Sequence, residues 1–182
     1  SLLKIYQFFK TKQKDKLLIP DFMCNESLSL LRLNKAKIIF YEFETLESQI
    51  FSKNLVNEDI RILLFVNYFG ENKHLSKSLK DLLKEKQIIV VEDNTHCIRS
   101  ISKIESDIEI YSPHKLFGLE TGSVIKFKSK IIFKNFLDFY KKDLKKINNK
   151  FKNFYRFCSF LLRKEIRNLI GHKYPELDFN NT

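Results

Sequence analysis

The chain has 182 residues, of which 43% are hydrophobic and 14% aromatic, enough apolar material for one well-buried domain and too much for a disordered segment. Lysine and arginine outnumber aspartate and glutamate by 33 to 22, a formal charge of +11, which raises a nucleic-acid or anionic-surface partner. The basic residues are spread among many Ile, Asn and Phe, however, and the aromatic and arginine interleaving of an RNA-binding sheet is not visible, so a nucleic-acid role is disfavoured.

In chain order, "SLLKIYQFFK" carries a helical apolar stripe that the charged "TKQKDK" ends, and "LLIP" reads as a short strand. "NESLSLLRL" predicts a helix with Asn25 as N-cap, and "AKIIFYEF" the next strand. "IRILLFVNYFG" holds a fully apolar strand, "ENKHLSKSLKDLLKEK" an amphipathic helix and "QIIVVED" a further buried strand. Runs such as "ILLFV" and "IIVV", apolar on both faces and separated by helices, are the signature of a parallel sheet covered on both sides. The fold class expected is therefore α/β, a mostly parallel sheet flanked by helices. After "DIEIYS" and "GSVIKF" come two long helical patterns, "SKIIFKNFLDFYKKDLKKI" and "NFYRFCSFLLRKEIRNLIG", and a polar tail. They divide the chain into an α/β domain over 1–128 and a helical extension over 129–182.

The three cysteines, Cys24, Cys97 and Cys158, are too few and too far apart for a disulfide framework or a zinc site, and they fit a reducing cytoplasm. No uninterrupted apolar run approaches the roughly 20 residues of a membrane span. The chain opens at Ser1 already in a helical pattern, which suggests a piece of a longer protein.

Ligands of a parallel α/β sheet bind outside the carboxyl ends of the strands. Two such ends are rich in chemistry: "VVEDNTH", with Glu92, Asp93 and His96, and "IYSPHK", with Ser112, His114 and Lys115. "EDNTH" lacks the companion ligands of a metal site, and neither a P-loop nor a dinucleotide fingerprint occurs. What remains is an acid on one strand end and a lysine on another. A lysine amine forms an imine with an aldehyde, and a carboxylate holds a pyridinium nitrogen protonated; this is the pairing used with pyridoxal phosphate. Ser112, three residues before Lys115, is placed to donate to the phosphate. Glu92 is read as orienting its neighbours from the strand's other side, Tyr68, Phe69 and Gly70 as shaping a turn, and Cys97 as a core residue.

The segments "LIPDFMCNESLSLLRLNKAKIIFYEF", "VNYFGE", "VVEDNTHCI" and "SDIEIYSPHKLFGLETGSVIKF" resemble, in order and spacing, the DegT/DnrJ/StrS family of sugar aminotransferases, over roughly residues 1 to 130. The resemblance implies the large domain of a pyridoxal-phosphate-dependent transferase with extra C-terminal helices. It also implies Asp93 at the pyridine nitrogen, His96 beside the ring or its hydroxyl, Ser112 at the phosphate and Lys115 as the catalytic, imine-forming lysine. Phe22 to Cys24 would lie near the ring face. The chain departs from the family in having "TGS" where a Gly-Gly is usual, and in lacking the phosphate-binding turn upstream of the first helix and the small domain. The implied reaction is amino transfer to a nucleotide-linked keto-sugar from an amino-acid donor, by a cytoplasmic homodimer. Two rival expectations remain open: a non-catalytic relative that acts in binding or assembly, and a basic nucleic-acid-binding module.

Overall fold

The alternation of apolar runs and amphipathic stretches builds a six-stranded sheet in the computed structural model, which describes residues 2–52, 59–68, 75–97, 104–113 and 123–147. Helix α1 (Leu2–Phe9) leads into β1 (Lys16–Pro20), α2 (Asn25–Leu33) and β2 (Lys37–Tyr41). A short 3-10 turn (Phe43–Thr45) and α3 (Leu46–Ser52) precede β3 (Ile60–Val66), α4 (Lys77–Glu85) and β4 (Ile89–Asp93). Then come β5 (Ile108–Tyr111), β6 (Val124–Phe127) and α5 (Lys130–Ile147). The strand order is β2-β1-β3-β4-β5-β6. All pairs are parallel except β5 with β6, where β6 runs antiparallel as an edge. The mostly parallel α/β class expected from the doubly apolar runs is the class observed.

The period-2 alternation of the strands separates two cores. Ile62, Leu64 and Val66 of β3 join Leu17, Ile19 and Val91 against Ile5, Phe9, Leu28 and Leu31 of α1 and α2. Leu63 and Phe65 of β3 join Leu18 and Val90 against Leu46 and Ile50 of α3 and Leu79 and Leu83 of α4. Each such fully buried aliphatic side chain contributes about 1.5–3 kcal/mol relative to exposure, so β3, apolar on both faces, joins the two cores of the sheet.

Helix ends follow local chemistry. Ser76 caps α4, its hydroxyl accepting from the Leu79 N–H at 3.1 Å. At α2 the cap differs from expectation. Cys24 occupies the N-cap with extended dihedrals and no side-chain bond to the helix backbone, its Sγ lying 3.1 Å from Ser27 Oγ, and Asn25 is already the first helical residue. The Cys24 carbonyl accepts from the Ser27 and Leu28 N–H groups at 3.2 and 3.3 Å, which starts the helix one residue earlier than the asparagine rule suggests. The exposed edge strand β6 carries Lys126 opposite Glu109 of β5, with Nζ 2.7 Å from Oε1, a charge that disfavours further strand pairing.

The chain divides into two compact units, Ser1–Phe136 and Leu137–Thr182. The sheet and helices α1 to α4 belong to the first. Helix α5 begins at Lys130, within the first unit, and the second expected C-terminal helix lies outside the described residues. Among the described residues no helix is long and apolar enough to cross a membrane.

Candidate active site

The topology dictates where a cleft must open. The chain goes from β1 outward to β2, then returns to place β3 on the other side of β1, so the connections after β1 and β3 leave in different directions and a crevice forms at their carboxyl ends. A cavity of about 730 Å³ lies there, within the range of about 300–1,000 Å³ usual for small-molecule sites. Its walls are Phe22, Met23 and Cys24 after β1, Val66 and Tyr68 at the end of β3, Asp93, Thr95 and His96 at β4, and Ile110 and Ser112 at β5. Leu2 and Leu3 of α1 and Ser27 and Leu30 of α2 close the apolar side.

Register brings these residues level. Asp93 is paired with Val66 on one side and Ile110 on the other, and all three line the cavity. Past the strands the lacing continues, with the Asn67 N–H donating to the Asp93 carbonyl at 2.9 Å and the Asn94 N–H to the Ile110 carbonyl at 2.8 Å. Behind this edge Asn67 and Asn94 are fully buried, and Asn67 Nδ2 donates to Asn94 Oδ1 at 3.1 Å. Cys97, buried as expected of a core cysteine, donates its thiol to the Asn67 carbonyl at 3.4 Å.

The structure thus brings three of the four sequence-derived site residues, Asp93, His96 and Ser112, into one cavity. Lys115, with His114, Phe69 and Gly70, lies outside the described residues. Asp93 also shapes its own turn, Oδ1 accepting from the Thr95 N–H at 2.9 Å. Ser112 is buried and His96 exposed. Glu92 points to the other face of the sheet, where it is buried and accepts from the Ser106 hydroxyl at 3.1 Å.

Sequence reasoning undervalued Tyr68. Its ring packs edge-on against Phe43 with centroids 4.3 Å apart and tilted against Phe22 at 5.3 Å, and its hydroxyl donates to the Phe22 carbonyl. Burial, reinforced by the nearby Asp93 carboxylate, pushes its phenol up to about 12. In the sequence, "VNYFG" reads as a turn that the family resemblance puts near the site; the packing of Phe22 and Phe43 around Tyr68 is what the structure adds. Leu2, Leu3 and Leu30 gave no signal beyond helical periodicity.

No protein-family model matches the chain, and no curated protein matches it. Solved structures do. The chain is similar to a PLP-bound protein of Clostridium difficile 630 named as an aminotransferase (17% identity, TM-score 0.58, 78% of this chain covered). It is similar also to PseC of Helicobacter pylori, an aminotransferase involved in the biosynthesis of pseudoaminic acid (14% identity, TM-score 0.58, 74% covered). The fold is that of the PLP-dependent aminotransferases. Cystalysin of Treponema denticola, which contains pyridoxal 5'-phosphate, shares it at 20% identity and TM-score 0.52 over 74% of this chain. The chain spans 44%, 39% and 41% of the lengths of these three proteins.

Proposed function

We propose that the chain binds pyridoxal 5'-phosphate in the strand-end cavity and belongs to an aminotransferase that acts on a nucleotide-linked keto-sugar with an amino acid such as glutamate as donor. The observation that carries this reading is the meeting of Asp93, His96 and Ser112 in one largely apolar cleft at the carboxyl ends of β4 and β5. The donor set suits the cofactor's ring end: one carboxylate for a protonated ring nitrogen, apolar side chains from Val66, Ile110 and Phe22 for the ring faces, and hydroxyls from Ser112, Ser27 and Thr95 for oxygens.

When bound, pyridoxal phosphate supplies an electron-accepting ring through which an amino group passes between an amino acid and a ketone. In this reading Asp93 would accept the hydrogen bond of the protonated ring nitrogen and keep the proton there. Ser112 would donate to the phosphate, and His96 would serve the ring or its hydroxyl. Lys115 would hold the cofactor and would carry the proton to and from the substrate α-carbon as general acid and base. The apolar walls from α1 and α2 exclude water from that transfer. Membership of the DegT/DnrJ/StrS family, assembly as a homodimer and a cytoplasmic location are parts of the same proposal; they rest on the sequence resemblance, and the sugar substrate gains support from the likeness to PseC.

The deciding experiment is titration of the purified full chain with pyridoxal phosphate. A visible absorption band should appear, borohydride should fix the cofactor covalently on Lys115, identifiable by peptide mass, and Lys115→Ala should show neither. A wild-type chain without the band and without the adduct would leave the binding or assembly reading and the nucleic-acid-binding one, the latter marked by a salt-sensitive shift with random oligonucleotides. Amine transfer from glutamate to a nucleotide-linked keto-sugar then tests the substrate, and sedimentation tests the dimer.

A further inference from the structure

We infer that Tyr68 is a positioning residue that clamps the Phe22–Cys24 segment across the switch-point crevice and so sets the width of the cleft in which a planar heteroaromatic ligand is held. The inference rests on the pyridoxal-phosphate reading for the identity of that ligand, but the clamp itself is a matter of geometry. The segment after β1 contributes three consecutive cavity residues, Phe22, Met23 and Cys24. From the β2 side it is held by Asp21, whose Oδ1 accepts from the Phe22 N–H at 2.8 Å and the Phe43 N–H at 3.3 Å. From the β3 side it is held by the Tyr68 hydroxyl on the Phe22 carbonyl, with the Phe43 and Phe22 rings packed on the Tyr68 ring. Local contacts add the Met23 N–H on the Asp21 carbonyl at 3.0 Å and Cys24 Sγ 3.1 Å from Ser27 Oγ, but of these hydrogen bonds only that of the Tyr68 hydroxyl ties the segment to the β3 side of the crevice.

Tyr68 also shares the opposite wall with Asp93, whose charge it feels. One phenol therefore connects the two sides between which a ring would lie, by a hydrogen bond to one and by its place in the strand-end row to the other. Fixing that spacing in advance reduces the ordering cost of binding.

The test compares Tyr68→Phe with Tyr41→Phe. Tyr41 is a buried tyrosine outside the cavity, whose hydroxyl donates to the Leu64 carbonyl at 2.9 Å; its loss is a matched structural control. Two readouts are taken under native conditions: the rate at which N-ethylmaleimide alkylates the exposed Cys24, followed by the mass of its peptide, and the dissociation constant for pyridoxal phosphate. Tyr68→Phe keeps the ring and loses the bond, so alkylation should quicken and binding weaken, each by about tenfold, while Tyr41→Phe leaves both within about twofold of wild type. Phe43→Leu, which trims the ring packing but keeps the hydroxyl, should change both in the same direction by a smaller factor, and it serves if Tyr68→Phe fails to fold. Equal effects in the two tyrosine variants, or no change in Tyr68→Phe, would overturn the clamp. If wild type binds no pyridoxal phosphate, the cofactor reading falls alone, and the clamp is decided by the Cys24 alkylation rates.

Discussion

At Asp93 one side chain serves both the backbone and the cavity. Its Oδ1 holds the Thr95 N–H at 2.9 Å, an Asx turn that ends β4, while the carboxylate lines the cleft next to Tyr68. The turn needs only an oxygen acceptor, whereas a pyridinium partner and the field felt by Tyr68 need the charge. Asp93→Asn separates the two. The fold should melt within a few degrees of wild type, because the amide oxygen still caps the turn. Affinity for pyridoxal phosphate should fall about 10- to 100-fold, the value of a hydrogen bond to a charged group. The Tyr68 phenol should titrate at lower pH, because a nearby anion that opposes its ionisation has gone. Ultraviolet titration of the tyrosines and absorption titration with the cofactor read these two effects independently. Asp93→Ala should add a stability loss of about 1 kcal/mol from the unmet Thr95 N–H, which distinguishes a capping role from a ligand-holding one.

Two elements end in the same way, and neither uses the residue that the geometry favours. Helix α2 closes with the Lys35 N–H on the Arg32 carbonyl at 2.9 Å and the Ala36 N–H on the Leu31 carbonyl at 2.9 Å. Helix α4 closes with the Gln87 N–H on the Lys84 carbonyl at 3.0 Å and the Ile88 N–H on the Leu83 carbonyl at 2.9 Å. Both are Schellman endings, and they put Lys35 and Gln87 at φ 53°, the left-handed region where a Cβ is costly. Lys35→Gly and Gln87→Gly should each stabilise the fold by about 1 kcal/mol, seen as a higher urea midpoint with an unchanged slope; a lower midpoint would show that the side chains themselves hold these corners. The missing glycines are also why the helix stops were poorly marked in the sequence. Strands were legible because β3 and β4 are apolar on both faces, a pattern only a covered parallel sheet needs. Helix α3 was not, since over seven residues it buries mainly Leu46 and Ile50, too short a stripe to show a period. The reversed direction of β6 left no mark either, because an edge strand of four residues with exposed Val124 and Lys126 reads the same in both orientations. Of the site, Asp93, His96 and Ser112 were legible because strand ends are where a parallel sheet places its chemistry. For Tyr68 only the nearness of its turn to the site was legible, from the family resemblance; its contacts were not, because they are with Phe22 and Phe43, 46 and 25 positions away in sequence.

Among the described residues the titrating groups that burial perturbs most lie at the alkaline end. The Tyr68 phenol is pushed up to about 12, and Tyr41, buried at the end of β2 with its hydroxyl on the Leu64 carbonyl, is raised well above the ordinary tyrosine value. In both, desolvation of the phenolate is the main cause. In the unfolded chain these phenols ionise near pH 10, whereas in the folded chain they keep their protons to higher pH. Between the two values the unfolded state binds fewer protons, so the stability falls as pH rises. The surface pair of Lys37 with Asp15, Nζ 2.8 Å from Oδ2, acts in the same direction. Its folded-state amine is raised, chiefly by the hydrogen bond to Asp15, so its contribution is present below the usual lysine value and lost as pH passes the raised one. Salt should weaken that contribution but not the tyrosine one, because only the former is exposed. The expected outcome is an alkaline unfolding limb that begins near pH 10, as set by the unfolded phenols, and persists in high salt. Tyr41→Phe and Tyr68→Phe should each lower stability at pH 7 yet make the limb shallower, since each removes one proton that the unfolded state releases first. Urea unfolding at a series of pH values checks this: limbs of equal slope in wild type and both variants would mean that the two phenols are not what limits the fold in alkali.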